Sequence, residues 1–464
     1  MIRHRMTVAI GACAVALALA AAGCSSSGGT GSNTTGSNAS GSSNSSSTGA
    51  GGSGSTGSPV TISYLTHWGP DQVKQLEAAA DAFHKDNPNI TVKFQAVPFA
   101  NLLSTIQTQG SSSGGATIAS IYDLWLPGLI KSGVAAKAPA DVASEVTSNW
   151  SEGLVNDVSS NGAVYGIPNE VDLYALNYNT KLFTAAGISQ PPTTWDELVA
   201  DAAKLTDKAK GQQGFGVITN WAAGVDHPFL SLAASNDGYF LNSDKTASAL
   251  TTPNVEATAQ LYETLLKAGS TVPSMSAANA NTTGPYLDNF ANGKTAMIIM
   301  ANWWESTLKQ SMGDNFKDIA TAPIPKGPSG TKSSSISYSW LTMVNAHADP
   351  AAQDAAWKFL TYLNGSQSGK NGSSAMGDVL MGMGILPSRS SDLTAHASGL
   401  SDPFVKTYVD EIPNATPFPI AVGGQQASDA LQSALESLVF GKASPQDALK
   451  TADQAVNAAL QSGK

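Results

Sequence analysis

Apolar and polar residues alternate one for one from Val60, where Val60, Ile62 and Tyr64 are separated by Thr61 and Ser63, the period of a half-buried strand. Over residues 71–85 the spacing lengthens to three and four. It puts Val73, Leu76, Ala80 and Phe83 on one helical face. Asn87-Pro88-Asn89 ends that helix, and alternation returns with Ile90, Val92 and Phe94. Strand, helix and strand over about 35 residues make a βαβ unit, which predicts a parallel sheet with a right-handed crossover. A second helix follows around Leu102, Leu103 and Ile106, then a Gly/Ser loop and a short strand from Ile118 to Tyr122. The fold class is α/β, an open sheet with flanking helices. Ligands of such sheets gather beyond the carboxyl ends of the strands. Those positions here hold His67-Trp68-Gly69 and Tyr122-Asp123.

Local signals place further helices. Thr194 with Glu197 three residues on is a capping box, so Trp195 inside that helix is expected to pack. Trp357 and Leu360 share one helical face and read as core. Ser444, Pro445 and Asp447 mark another capped helix start.

Composition narrows the class. A length of 464 residues predicts two or three domains at about 150 residues each. Apolar residues make up 42% of the chain, which excludes wholesale disorder, and charged residues only 13%. A formal charge of −10 with no basic face excludes a nucleic-acid binder. Cys13 and Cys24 both precede residue 25, so the remainder has neither disulfide nor thiolate metal site.

The amino terminus carries an export signal: Arg3 and Arg5, then an apolar run over residues 7–22 that ends in small residues. The stretch Ala21-Ala22-Gly23-Cys24 resembles the bacterial lipobox, with Ala21 where Leu is usual. The resemblance implies a signal peptide over 1–23, lipidation of Cys24 and an extracytoplasmic protein anchored to the cell membrane. Ordinary cleavage near Ala22 is the alternative. Residues 25–58 are Ser, Gly, Thr and Asn apart from Ala39 and Ala50, too polar to offset the entropy of ordering. With Cys24 they form a disordered linker over 24–58, spanning roughly 30–35 Å as a coil.

The order of motifs from Val60 onward resembles the bacterial extracellular solute-binding proteins of family 1, receptors of carbohydrate ABC importers. The resemblance is carried by Tyr165-Gly166-Ile167-Pro168, Tyr178-Asn179 with Phe183 and Gly187, and Pro192 with Thr194-Trp195-Asp196-Glu197-Leu198. It continues through Phe290 with Gly293-Lys294-Thr295-Ala296-Met297, Ala356-Trp357-Lys358-Phe359-Leu360, Gly384 with Pro387, and Gly441-Lys442 with Ser444-Pro445. Where the family shows Pro-Asp-Val, this chain has Ala116-Thr117-Ile118.

The resemblance implies a two-lobe periplasmic-binding-protein-like fold of type II, hinged about crossover strands. Lobe I would comprise 59–169 and 334–382, and lobe II 170–333 and 383–464. The chain would cross just after Pro168, again over residues 333–339, and once more near Gly384. The implied role is a monomeric receptor that binds a solute between the lobes and delivers it to permease subunits, without a cofactor.

A sugar presents apolar C–H faces and a ring of hydroxyls, matched by flat aromatic surfaces together with carboxylates and amides. Of nine Trp, Trp125 and Trp150 incline to the core. Trp68, Trp221, Trp303, Trp304 and Trp340 stand in or beside expected loops. Trp303 and Trp304 follow a strand-like run over 296–300; two consecutive side chains cannot both face the core of a strand. Glu170, Asp172 and Tyr174 fall on the first implied crossover, and Tyr122 and Asp123 on a strand end. Those ten are the candidate ligand contacts. Arg389 is a weaker candidate, and Asn236 and Asp237 read as a turn.

Catalysis has little support. Gly110-Ser111-Ser112-Ser113-Gly114 matches a nucleophile-elbow pattern formally, but follows a helix instead of a strand. The six His include no pair three to five apart, so no zinc site is expected. Glu170 and Asp172, two apart on a strand and so sharing a face at roughly 7 Å, have a geometry that does not forbid the carboxylate pair of a glycoside hydrolase, though nothing else supports one. A hydrolase or lectin therefore stays as a lesser alternative, beside a receptor for a peptide, polyamine or sugar phosphate.

Overall fold

The structure is a computed structural model that describes residues 57–278 and 284–463. The expected signal peptide, Cys24 and the linker up to residue 56 lie outside the described residues.

Twelve strands are found among the described residues. The first five are β1 (Val60–Thr66), β2 (Ile90–Ala96), β3 (Ile118–Tyr122), β4 (Ser159–Ser160) and β5 (Ala163–Val164). Then come β6 (Ile167–Asn179), β7 (Gln213–Gly216), β8 (Thr295–Ala301), β9 (Ile319–Ala322), β10 (Ile336–Val344), β11 (Leu386–Pro387) and β12 (Thr416–Pro417). The main sheet runs β2-β1-β3-β10-β6-β8-β7, with β9, β11 and β12 pairing alongside.

The βαβ unit forms as the alternation predicts. β1 pairs with β2 in parallel from Val60 opposite Ile90 to Thr66 opposite Ala96. The intervening helix, Pro70–Asp86, buries Leu76, Ala80 and Phe83 against the sheet. β3 adds to β1 in parallel. The expected parallel order then stops, because β10 joins β3 antiparallel.

β6 is the longest strand, at 13 residues. Its first half is bonded to β10 and β11, and from Tyr174 onward it is bonded to β8 and β9. One continuous strand is therefore shared by two groups of strands.

The predicted caps are present. Thr194 accepts the Glu197 N–H while the Glu197 carboxylate reaches back to the Thr194 N–H, opening helix Trp195–Leu205; such a cap contributes about 1 kcal/mol. Ser444 caps Pro445–Ser462 by accepting from Asp447 N–H. Trp195 and Trp357 are buried, as their helical positions predict. Helix Ala222–Ala234 is buried at every position from Gly224 onward, its apolar residues spread around the helix instead of along one stripe. It carries Asp226 and His227 into the interior, packed against helix Gly424–Val439.

Candidate functional site

A cavity of about 280 Å³ opens beyond the carboxyl ends of β1 and β3. That lies just under the usual range for ligand pockets, roughly 300–1,000 Å³. β1 delivers His67, Trp68 and Gly69 to it, and β3 ends on Tyr122 at the same rim. The floor comes from β6 and β10. Their antiparallel register sets Trp340 opposite Glu170 and Tyr338 opposite Asp172. Because side chains alternate along a strand, all four project from one face. A register shift beside Trp340 ends this arrangement, so that Leu341 faces Pro168.

The far wall is the turn Asn302–Trp304 after β8, with Trp221 immediately before helix Ala222–Ala234. Trp303 donates its indole N–H to the Tyr338 hydroxyl at 2.8 Å. Trp221 and Trp303 meet edge to face at 5.5 Å. On the other side Trp340 lies 4.0 Å from the His67 ring and stacks on Tyr122 at 6.2 Å. Aromatic surface thus faces the space from two directions.

Seven of the ten candidate residues line this cavity: Trp68, Tyr122, Glu170, Asp172, Trp221, Trp303 and Trp340. Three stand behind it. Asp123 is buried, and its carboxylate accepts the Ser339 N–H at 2.6 Å, holding the start of the post-β3 turn against β10. Tyr174 is buried and donates to the Ala223 carbonyl at 3.3 Å. Trp304 packs on Tyr286 and on Trp303. The strand rule for consecutive tryptophans does not govern this pair, because both sit in a 3-10 turn, which splays them by its own geometry.

Other expectations resolve locally. Arg389 turns away from the cavity, lying over the Trp150 ring and pairing with Glu145 at 2.6 Å. Trp125 and Trp150 are both buried. Asn236 accepts the Ser329 N–H and Asp237 has a positive φ, which is the turn chemistry the sequence suggests.

The carboxyls are the electrostatic centre. Burial pushes Glu170 well above the ordinary carboxylate range, and the neighbouring Asp172 pushes it further. Burial raises Asp172 as well, opposed by hydrogen bonds from Asn302, Glu170 and Tyr338. The Asn302 amide donates to Asp172 at 3.1 Å while its carbonyl accepts the Leu173 N–H at 2.8 Å, tying the end of β8 to β6. Each carboxyl therefore disfavours a charge on the other. Burial drives His67 down to about 3, so its imidazole is neutral. Three buried polar atoms on lining residues, Glu170 Oε2, His67 Nδ1 and Trp221 Nε1, have no partner within the protein. Among the described residues, no group of three or more His, Cys, Asp or Glu is placed to hold a metal ion.

Several lining residues lie beyond the ten candidates. Tyr338 had a readable signal: it stands two before Trp340, hence on the same strand face. His67 follows directly from the end of β1. Gln72, Phe99, Ala223, Ser306, Thr307, Met383 and Ile385 also line the cavity. They arrive on helices or loops whose orientation no local pattern announces.

A family model described as bacterial extracellular solute-binding protein matches residues 69–370. A binding protein of Brucella abortus is 27% identical over 384 residues, covering 83% of this chain and 89% of its own. The diacetylchitobiose binding protein DasA of Streptomyces coelicolor is 26% identical over 295 residues, 63% of this chain and 65% of that one. Among solved structures, the GacH receptor of Streptomyces glaucescens superposes with a TM-score of 0.74 at 20% identity, covering 87% of this chain and 99% of its own. Maltose-bound MalE3 of Thermotoga maritima gives 0.72 at 20% identity, over 85% and 98%. At these identities the superpositions establish the fold, which is of the type II periplasmic-binding-protein kind.

Proposed function

The chain belongs to the bacterial extracellular solute-binding proteins, and from that premise we propose that it is the receptor of an ABC importer for a carbohydrate. The sugar would be held in the cavity between β6, β10 and the turn after β8, and passed to a membrane permease. The observation that carries this reading is the aromatic lining joined to a carboxyl pair. The lining tryptophans would offer apolar surface to C–H groups, while Glu170 and Asp172 would accept hydroxyl protons. DasA is described as a diacetylchitobiose binder and GacH was crystallised with acarbose, which supports the same ligand class.

In this reading lobe I (59–169 and 334–382) and lobe II (170–333 and 383–464) close upon the solute. β6, β10 and β11 fall where the chain was expected to pass between them, which supports the division. Closure gives the permease a means of telling a loaded receptor from an empty one, because the ligand favours one of the two conformations. Cys24 would carry the lipid that keeps the receptor at the membrane surface, the Ser/Gly linker serving as tether.

Hydrolysis fits less well. The family model and the superposed GacH receptor are both described as binding proteins, which supports capture without chemistry.

A thermal-shift panel of sugars, peptides, polyamines and sugar phosphates tests the proposal. A ligand at 100 times its Kd adds about 2.7 kcal/mol to stability. A shift produced by a sugar, with the sugar recovered intact, supports it. A shift produced only by another class, or cleavage of the sugar, refutes it.

A further inference from the structure

We propose that the solute is a saccharide bearing a protonated amine, and that Glu170 is the residue that selects it. This rests on the carbohydrate reading above and narrows it. Glu170 and Asp172 both line the cavity, two positions apart on β6. Among the described residues that line it there is no Lys or Arg to balance them. Glu170 is 3% exposed, and its Oε2 has no partner in the protein. An acceptor in that condition costs about 1–3 kcal/mol, more if charged, unless a ligand meets it.

The class of ligand follows from charge. A neutral polyol can donate hydroxyl protons to the pair, but adjacent buried carboxyls must then keep a proton between them to avoid facing each other as two anions. An ammonium group supplies the missing cation and allows both to ionise around it. Its hydrogen bonds to them are charge-assisted, roughly twice as strong as neutral ones. The walls favour the same ligand. Trp221, Trp303 and Trp340 stand on the lining, and a cation over an indole gains about 0.5–2 kcal/mol, the more so when removed from water. A phosphorylated sugar meets the opposite situation: carboxyls and no basic side chain on the lining. The amine therefore sits at Glu170, and the hydroxylated remainder lies along the aromatic faces.

The test is titration calorimetry on the full chain with matched disaccharide sets. Within a set the members differ at one position only, carrying a hydroxyl, a free amine or an N-acetylated amine. A linear diamine is run in parallel, all at a pH where the amines are protonated. The free-amine member of any set that binds should be at least tenfold tighter than its hydroxyl and N-acetyl counterparts. Glu170→Gln should reduce that preference to under threefold, while binding of the hydroxyl member changes less. Equal or tighter binding of the hydroxyl or N-acetyl member overturns the amine inference and leaves the carbohydrate receptor standing. Binding by no saccharide, whether or not the diamine binds, overturns the carbohydrate reading and this inference with it. If Glu170→Gln does not fold, the wild-type ratio within each set decides.

Discussion

Tyr338 stands directly across the β6–β10 ladder from Asp172, so a phenol and a carboxyl share one face of the sheet. The phenol oxygen also receives the Trp303 indole N–H from the opposite wall. Tyr338 is thus, with Asn302, a point at which floor and wall are fastened together. Tyr338→Phe deprives that indole of its acceptor and Asp172 of a donor. The expected result is a loss of about 1–3 kcal/mol in stability, read as a lower urea midpoint with an unchanged slope. An unmoved midpoint would mean that the bond contributes nothing.

The tryptophans should separate into two kinds. Trp340 is 7% exposed and touches His67, Phe99, Tyr122 and Trp125. Trp340→Ala should cost about 3–5 kcal/mol, because a large cavity remains. Trp303 is only partly buried. Trp303→Ala should cost clearly less stability while weakening solute binding tenfold or more. Melting curves and calorimetry on both variants check the contrast, and equal stability losses would refute it.

Asp226 gives a pH prediction. It is fully buried, with one oxygen bonded to Ser428 and the other unpartnered, and burial raises its pKa well above the ordinary range. The folded chain then keeps a proton that the unfolded chain releases above about pH 4. Stability contributed by this group is lost as pH rises through that range, at up to about 1.4 kcal/mol per pH unit. Asp226→Asn cannot ionise and escapes that loss. The melting temperature of the variant relative to wild type should therefore climb steadily from pH 4 towards 7. A difference that stays flat with pH would refute it.

His67 carries the opposite sign. Burial holds its folded pKa down to about 3, below an unfolded value of about 6.5. Below that unfolded value the unfolded chain binds a proton that the folded one refuses, so stability is lost as pH falls from about 6.5 towards 3. His67→Phe keeps a ring against Trp340 and removes the titration. Its stability relative to wild type should grow on acidification, measured by urea midpoints at a series of pH values, and a constant difference would refute it.

Much of the framework is legible along the chain because it rests on short-range rules. The βαβ start, the Thr194–Glu197 box and the Ser444 cap each depend on residues within a turn or two of one another. The rim residues Trp68 and Tyr122 follow from where β1 and β3 end. What escapes such reading is set by distant pairing. Trp303 and Trp304 look equivalent in sequence, yet the 3-10 turn sends one to the cavity and the other to Tyr286. Arg389 has a polar head suited to a hydroxyl, but Glu145, 244 positions away, takes it. Tyr174 shares the face expected for Glu170 and Asp172, but lies where β6 exchanges β10 for β8 and is covered by helix Ala222–Ala234.

The continuity of β6 carries a mechanical consequence. Glu170 and Asp172 are mounted on the same backbone beam that bears the flanking strands at both ends. On the proposed reading, a solute held at either carboxyl pulls directly on the strand that both groups of strands share. Grip and posture become one degree of freedom, so a variant that softens the beam around Leu173 and Tyr174 should blunt the transmitted signal before it blunts capture.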